Sequence, residues 1–258
     1  MDLGLKDKRA VVLGASRGLG RAIAEAMARE GANVTIVARD RARLAQTADA
    51  IGEASGAKIH IHAADLSQTP AVDALAATLG DVDVLVLNGG GPPPGAVSAV
   101  GDEAWRAAFE TMAMAPMRLA RAALPGMRKR QFGRILLVLS SGVVQPIPNL
   151  GISNTVRLSL VGWAKTLAAE VAPDGITVNG LVPGRIHTGR VDELDAAEAA
   201  RSGKPIEEVR AQSRATIPMA RYGTPEEFAA MAAMLASEKA SYTTGSMLRV
   251  DGGAIRAI

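Results

Sequence analysis

Cysteine is absent from the 258 residues, which excludes disulfides and thiolate metal sites and fits a reducing compartment without demonstrating one. Aromatic residues make up only 3% of the chain, and no basic run is interleaved with them. Charge of one sign is scarce as well: the formal net charge is +3. The sequence pI is about 9.4, but Lys and Arg are dispersed among acids, so nucleic acid is not expected as a partner. No apolar run is long enough to span a membrane, and residues 1–9 lack an apolar signal core. A soluble, cytoplasmic protein is expected, with no membrane partner and no residue assigned to a metal.

What is present is an apolar fraction of 48% with recurring Ala-rich segments, a globular composition. No Pro/Gly/Ser linker divides the chain, so one domain over residues 1–258 is expected, long enough to bury an ample core. Apolar, strand-like runs recur at 10–13, 33–38, 58–62, 82–87, 134–139, 176–181 and 247–250. Helical patterns lie at about 18–30, 41–54, 69–79, 102–130, 152–172, 205–215 and 225–236. Strands alternating with helices imply parallel pairing through right-handed crossovers, and continuous apolar strands imply burial on both faces. The expected fold is therefore α/β, a Rossmann-like, doubly wound sheet of about seven parallel strands with helices on both faces. Thr224-Pro225-Glu226-Glu227 reads as a helix start, with a capping hydroxyl, a proline in the first turn and acids facing the dipole. Pro92-Pro93-Pro94 reads as an extended loop.

The chain is organised around Gly14-Ala15-Ser16-Arg17-Gly18-Leu19-Gly20, set between the first apolar run and a helical pattern through Ile23 and Met27. A strand turning tightly into a helix presents unpaired N–H groups and the positive end of the helix dipole, for which phosphate is the natural ligand. Glycine is needed where the backbone bends sharply or a pyrophosphate comes close. A dinucleotide site is expected here; a ligand-free turn would use the same residues.

Glycines at the first, fifth and seventh positions of this turn resemble the short-chain dehydrogenase/reductase family, and the resemblance runs on through most of the chain. Asp65-Leu66 is similar to the family's adenine contact, and Asn88-Gly89-Gly90-Gly91 to its N-A-G segment, with Gly90 in place of the usual alanine. Ser140-Ser141, Pro183-Gly184 and Val250-Asp251-Gly252-Gly253 complete the set, and Ile186 and Thr188 fall at the expected nicotinamide contacts. Asp65 reads equally well as a helix cap. Where an NAD site carries an acid about 20 residues past the glycines, this chain reads Ala38-Arg39-Asp40. Arg39 and Arg17 together suit the extra phosphate of NADP, so NADP(H) is favoured over NAD(H). Asp40 has two open readings, a helix cap or a ribose contact.

The family's catalytic tyrosine and lysine, three residues apart, are missing: no Tyr-x-x-x-Lys occurs in the chain. Taking Gly162-Trp163-Ala164-Lys165 and Asn179 as register puts Ser153 at the tyrosine and Arg157 at the lysine, which also holds ribose hydroxyls. Ser140 falls at the family's serine, with Ser141 as the alternative, and Met112 at its asparagine. A phenol with a reference pKa near 10 can be tuned by a neighbouring cation to protonate a carbonyl; a serine hydroxyl is far weaker, and arginine stays charged. Tyr222 and Tyr242 fall in segments that resemble ordinary packing and turn stretches. His187 lies beside the expected nicotinamide contacts, or is an exposed loop residue; His60 and His62 are read as structural.

Two functional readings follow. One is an NADP(H)-dependent reductase, similar to 3-oxoacyl-acyl-carrier-protein reductases, acting on a carbonyl or alcohol through a degenerate active site. The other is a weak or inactive nucleotide-binding or interaction protein that keeps the fold. Segment 188–217 is expected to act as a lid, and Arg185, Arg190, Arg201, Arg210 and Arg214 offer contacts to an anionic substrate or simply solvate that lid. Leu150, Ile152, Val156, Leu160, Trp163 and Leu167 put apolar residues on more than one helix face, and related enzymes pair through these helices, so a homodimer or homotetramer is expected.

Overall fold

Strands and helices alternate from one end to the other of the computed structural model, which describes residues 1–257. The strands are β1 (Arg9–Leu13), β2 (Asn33–Ala38), β3 (His60–Ala63), β4 (Val84–Leu87), β5 (Gly133–Val138), β6 (Ile176–Pro183) and β7 (Met247–Val250). All pair in parallel, in the order β3-β2-β1-β4-β5-β6-β7. The helices are α1 (Gly18–Arg29), α2 (Arg41–Ser55), α3 (Thr69–Ala76), α4 (Asp102–Phe109), α5 (Ala115–Arg130), α6 (Gly151–Val171), α7 (Gly189–Ser202), α8 (Ile206–Ala215) and α9 (Pro225–Ala236). Strand order reverses between β1 and β4, and open parallel sheets bind ligands in the crevice beyond the carboxyl ends of strands at such a point.

Pleating explains the two cores. Val11, Leu13, Leu85, Ile135 and Leu137 point into a layer closed by α3, α5 and α6. Their neighbours Ala10, Val12, Val84, Leu136 and Val138 point into the opposite layer under α1, α2 and α9. The strand at the sheet edge departs from this rule: β3 starts two residues later than expected and is only half-buried, because one side lacks a neighbouring strand.

Two helical expectations need correcting. The expected helix over 102–130 is interrupted by a π-helical turn at Glu110–Met114, in which Ala115 N–H donates to the Glu110 carbonyl. Pro116 has no N–H to offer the Met112 carbonyl, so the regular ladder fails at that step and the wider turn absorbs it. The second is α7, which falls in a stretch read only as a lid. Gly189 opens it and Thr188 gives no side-chain cap, so neither usual start signal is present.

Helix α9 starts as the sequence indicates. Thr224 Oγ accepts from Glu227 N–H at 3.2 Å, and Glu227 accepts from Thr224 N–H at 2.8 Å, a reciprocal capping box. Arg221, 2.6 Å away, together with that amide, holds the Glu227 carboxyl at about 2. The folded value lies below the ordinary one of 4.5, so this stabilisation is present above about 4.5 and lost as pH falls through about 2. Thr224→Ala should cost about 1 kcal/mol in denaturant unfolding at neutral pH. Glu227→Gln should be less stable than the parent at neutral pH and converge with it on acidification; a gap independent of pH would refute this account.

Candidate active site at the carboxyl ends of the strands

The glycine turn is built by close approach. Gly14 sits at φ +60 with Asn88 packed against it: a Cβ there would lie 2.8 Å from Asn88 Nδ2. On Gly20 a Cβ would overlap the Gly14 carbonyl oxygen. Asn88, at the end of β4, donates to the carbonyls of Leu13 (3.0 Å) and Gly14 (3.3 Å), tying the two strands that flank the reversal point. The amino end of α1 has no side-chain cap and no acid in its first turn, so its N–H groups stay open to an anion.

From this turn a cavity of about 960 Å³ runs across the top of the sheet. Its wall brings together Gly14, Arg17, Gly18, Leu19, Arg39, Asn88, Gly89 and Gly90 from the nucleotide set, along with Pro183, Gly184, Ile186 and Thr188. Gly89 and Gly90 face open space, where a Cβ would meet nothing within 4 Å. The same cavity reaches Ser140, Ser141, Ser153 and Arg157. Four expected cofactor residues do not line it. Ser16 turns its carbonyl to the Thr47 hydroxyl, Gly20 packs beneath the turn, and Leu66 joins the core. Asp65 lies beyond its edge; its Oδ1 accepts from Ser67 N–H and Oγ, and the Ser67 amide, assisted by Arg39, holds the carboxyl below its usual range. Of the two readings for Asp40, the geometry selects the cap: its carboxylate accepts from Arg43 N–H at 3.0 Å.

At the other end, Ser153 and Arg157 lie one turn apart on α6 and so share a face. Ser153 is buried against the cavity. Ser140 Oγ accepts from Gly142 N–H at 3.1 Å, which leaves its own hydrogen free to donate. Arg157 donates to the carbonyls of Val138 (2.6 Å) and Gly89 (3.2 Å) and is half-buried, its edge on the cavity and protein around the rest. That burial, with Arg190 nearby, lowers its pKa to about 10, so it is charged throughout the neutral range. Met112 lies in the π-helical turn, half-buried against the core.

Helix α7 roofs this end, and α8 packs against α7 beside a second pocket. The expected basic contacts divide: Arg185, Arg190 and Arg201 line the cavity, whereas Arg210 and Arg214 line a separate, smaller pocket with His187 and Tyr222. His187 is exposed, 3.8 Å from Asp192, and is not at the reacting end. Tyr222 donates at 2.9 Å to Asp195, and burial raises its pKa, consistent with a packing role. Tyr242, expected in a packing or turn segment, is fully exposed and packs against nothing.

Two residues on α7 escaped the sequence reading. Asp195 is fully buried and pairs with Arg185, Tyr222 and, at 3.9 Å, Arg210, pinning the roof to the β6 end and to α8. Its signal was present: it lies four residues after buried Val191, an acid on a helix's inward face. Glu193 lies 3.5 Å from Arg17 and 3.3 Å from Arg190, bridging the glycine turn to the roof, and nothing local in the sequence marks it.

A parallel sheet with a glycine turn and a cavity at its reversal point defines a dinucleotide-binding α/β protein. The family described as enoyl-(acyl carrier protein) reductase matches residues 14–254. A 3-oxoacyl-[acyl-carrier-protein] reductase, FabG of Escherichia coli, is 35% identical over 254 residues, covering 97% of this chain and 98% of its own. The structure of L-sorbose reductase from Gluconobacter frateurii, complexed with NADPH and L-sorbose, superposes with a TM-score of 0.94 at 35% identity over 100% of both chains. That of YwfH, an NADPH-dependent reductase involved in bacilysin biosynthesis, gives 0.93 at 29% identity over 98% of this chain and 100% of its own. The chain belongs to the short-chain dehydrogenase/reductase family.

Proposed function

We propose that the protein is an NADP(H)-dependent short-chain oxidoreductase acting on a carbonyl or alcohol at an active site whose proton donor has been replaced. The observation that carries this reading is one continuous cavity joining the glycine turn, Arg17 and Arg39 to Ser140, Ser153 and Arg157. The open amino end of α1 and the bare faces of Gly89 and Gly90 fit a pyrophosphate and ribose, and Arg17 and Arg39 fit the extra phosphate of NADP. NADPH in the L-sorbose reductase complex supports the same choice. When bound, the nicotinamide supplies or accepts a hydride. Ser140 and Ser153 orient the reacting oxygen by hydrogen bonding, and Arg157 stabilises negative charge there without passing a proton near neutrality. Segment 188–217 closes the site as a lid, held through Glu193 and Asp195. Calorimetric titration with NADPH and NADH tests the reading, and equal affinities would defeat it.

The replacement of the tyrosine–lysine pair favours a second reading, a nucleotide-binding protein with little or no turnover. The titration leaves both standing, and turnover separates them.

Self-association belongs to the same proposal, with half of the expected residues turned inward. Val156, Leu160 and Leu167 are buried in this chain's own core, and Ile152 and Trp163 pack against it. Leu150, Ile152 and Trp163 are only partly buried, and Phe109, Met114 and Leu158 are exposed apolar residues on the same helical layer. Light scattering at micromolar concentration should give a dimer or tetramer, shifted toward monomer by Leu158→Glu; a monomeric parent would contradict the pairing. No helix among the described residues is long and apolar enough to cross a membrane.

A further inference from the structure

Six guanidinium groups line the cavity, and their partners differ. Arg201 is taken by both oxygens of Glu198, at 2.6 and 2.9 Å, and Arg185 by buried Asp195. Arg17 and Arg39 stand at the nucleotide end. Arg190 donates to the Pro92 carbonyl at 2.8 Å and lies 3.3 Å from Glu193, which it shares with Arg17. Arg157 has only carbonyl partners, and among the described residues no carboxylate lies within 4.0 Å of it. One carboxylate, Glu193, therefore answers two cations, Arg17 and Arg190, and none answers Arg157.

Nucleotide phosphates account for Arg17, which leaves Glu193 to Arg190 and Arg157 without a counter-ion. A buried charge without a counter-charge is costly, and an arriving anion relieves that cost. Arg157 donates to the Gly89 carbonyl, and Arg190 donates to the Pro92 carbonyl and lies beside Gly91, so both stand on the same short stretch of the cavity wall. Arg157 uses two of its five N–H donors on carbonyls, so three remain to receive an acceptor. One unanswered positive charge matches a carboxylate better than a phosphate, which carries about 1.5 to 2 negative charges at neutral pH. Beside these cations the wall is apolar, with Ile147, Leu150, Val191 and Leu194.

We propose that the substrate is a carbonyl or hydroxy compound bearing a carboxylate, which Arg157 and Arg190 receive while its carbon skeleton lies against Ile147, Leu150, Val191 and Leu194. This rests on the reading that places the nucleotide at Arg17 and Arg39. The two arginines thereby set specificity, choosing acids over neutral ketones of the same shape.

The test is calorimetric titration of the protein, free and saturated with NADPH, with pyruvate, acetoacetate and benzoylformate, each beside its methyl ester. At least one acid should bind at least about tenfold more tightly than its ester. Arg190→Met and Arg157→Met should each remove that gap, while Arg190→Lys, which keeps the charge, should retain part of it. Arg190→Met should leave NADPH affinity within about threefold of the parent. Equal binding of acids and esters overturns the proposal, as does the absence of binding by any acid. A variant Arg190→Met that loses NADPH affinity and keeps the gap also overturns it, by assigning that arginine to the nucleotide. Failure of the parent to bind NADPH instead defeats the nucleotide reading, and the acid–ester gap is read independently in the nucleotide-free protein.

Discussion

The double variant Ser153→Tyr with Arg157→Lys is expected to oxidise NADPH against a panel of ketones and 3-oxoacyl esters at least about tenfold faster than the parent, a floor set below the roughly 10²–10⁴ that general acid catalysis is typically worth. Ser153 and Arg157 share a face of α6, and Ser153 lines the cavity, so a phenol at that position extends into open space rather than into packed core. Lysine at 157 is shorter of donors than arginine but keeps the cation that lowers a phenol's pKa. Each single replacement should recover less than the pair, because the acid and the cation that tunes it act as a unit. A double variant that folds, binds NADPH and turns over no faster than the parent would show that this pocket does not bind carbonyls for reduction, and the nucleotide-binding alternative would gain.

Removing both Arg17 and Arg39 is expected to abolish the preference for NADPH over NADH. A hydrogen bond to a charged group is worth about 1.5–3 kcal/mol. Both side chains are exposed to solvent, so the low end applies, and two contacts together amount to roughly a 10²-fold loss of NADPH affinity. NADH binding should change little, since the glycine turn and the α1 amino end are untouched. Arg17→Ala alone also breaks the bridge from Glu193 to the glycine turn, and so should loosen α7 as well as weaken nucleotide binding. If Arg39→Ala lowers NADH affinity as much as NADPH affinity, the arginine pair is not reading the extra phosphate.

Much of this was legible in the sequence because it depends on local rules. The runs giving β2 and β7 have the expected bounds, and Thr224 and Glu227 form their capping box, because residues within one element carry the whole signal. The glycine turn is of the same kind: its spacing encodes a sharp bend and a close approach, and Gly14, Gly20 and Asn88 meet there. What was hidden depends on partners distant in the chain. Glu193 matters only because folding sets it beside Arg17, 176 residues away, and β3 is half-buried only because nothing pairs beyond it. The π-helical turn before Pro116 was missed because the apolar period over 102–130 continues through it; only the missing N–H betrays the break. On α6 the apolar surplus could not be divided residue by residue from the sequence: Val156, Leu160 and Leu167 face this chain's own core, whereas Leu158 is exposed.

The most direct test of the account is the steady-state rate at which the unmodified protein, saturated with NADPH, reduces that same panel. The account predicts firm NADPH binding with turnover well below the ordinary enzymatic range of about 1–10³ s⁻¹, because Ser153 cannot act as the phenol would and Arg157 keeps its proton. Turnover within that range would contradict it, and would mean that Ser140 or the substrate itself supplies the proton.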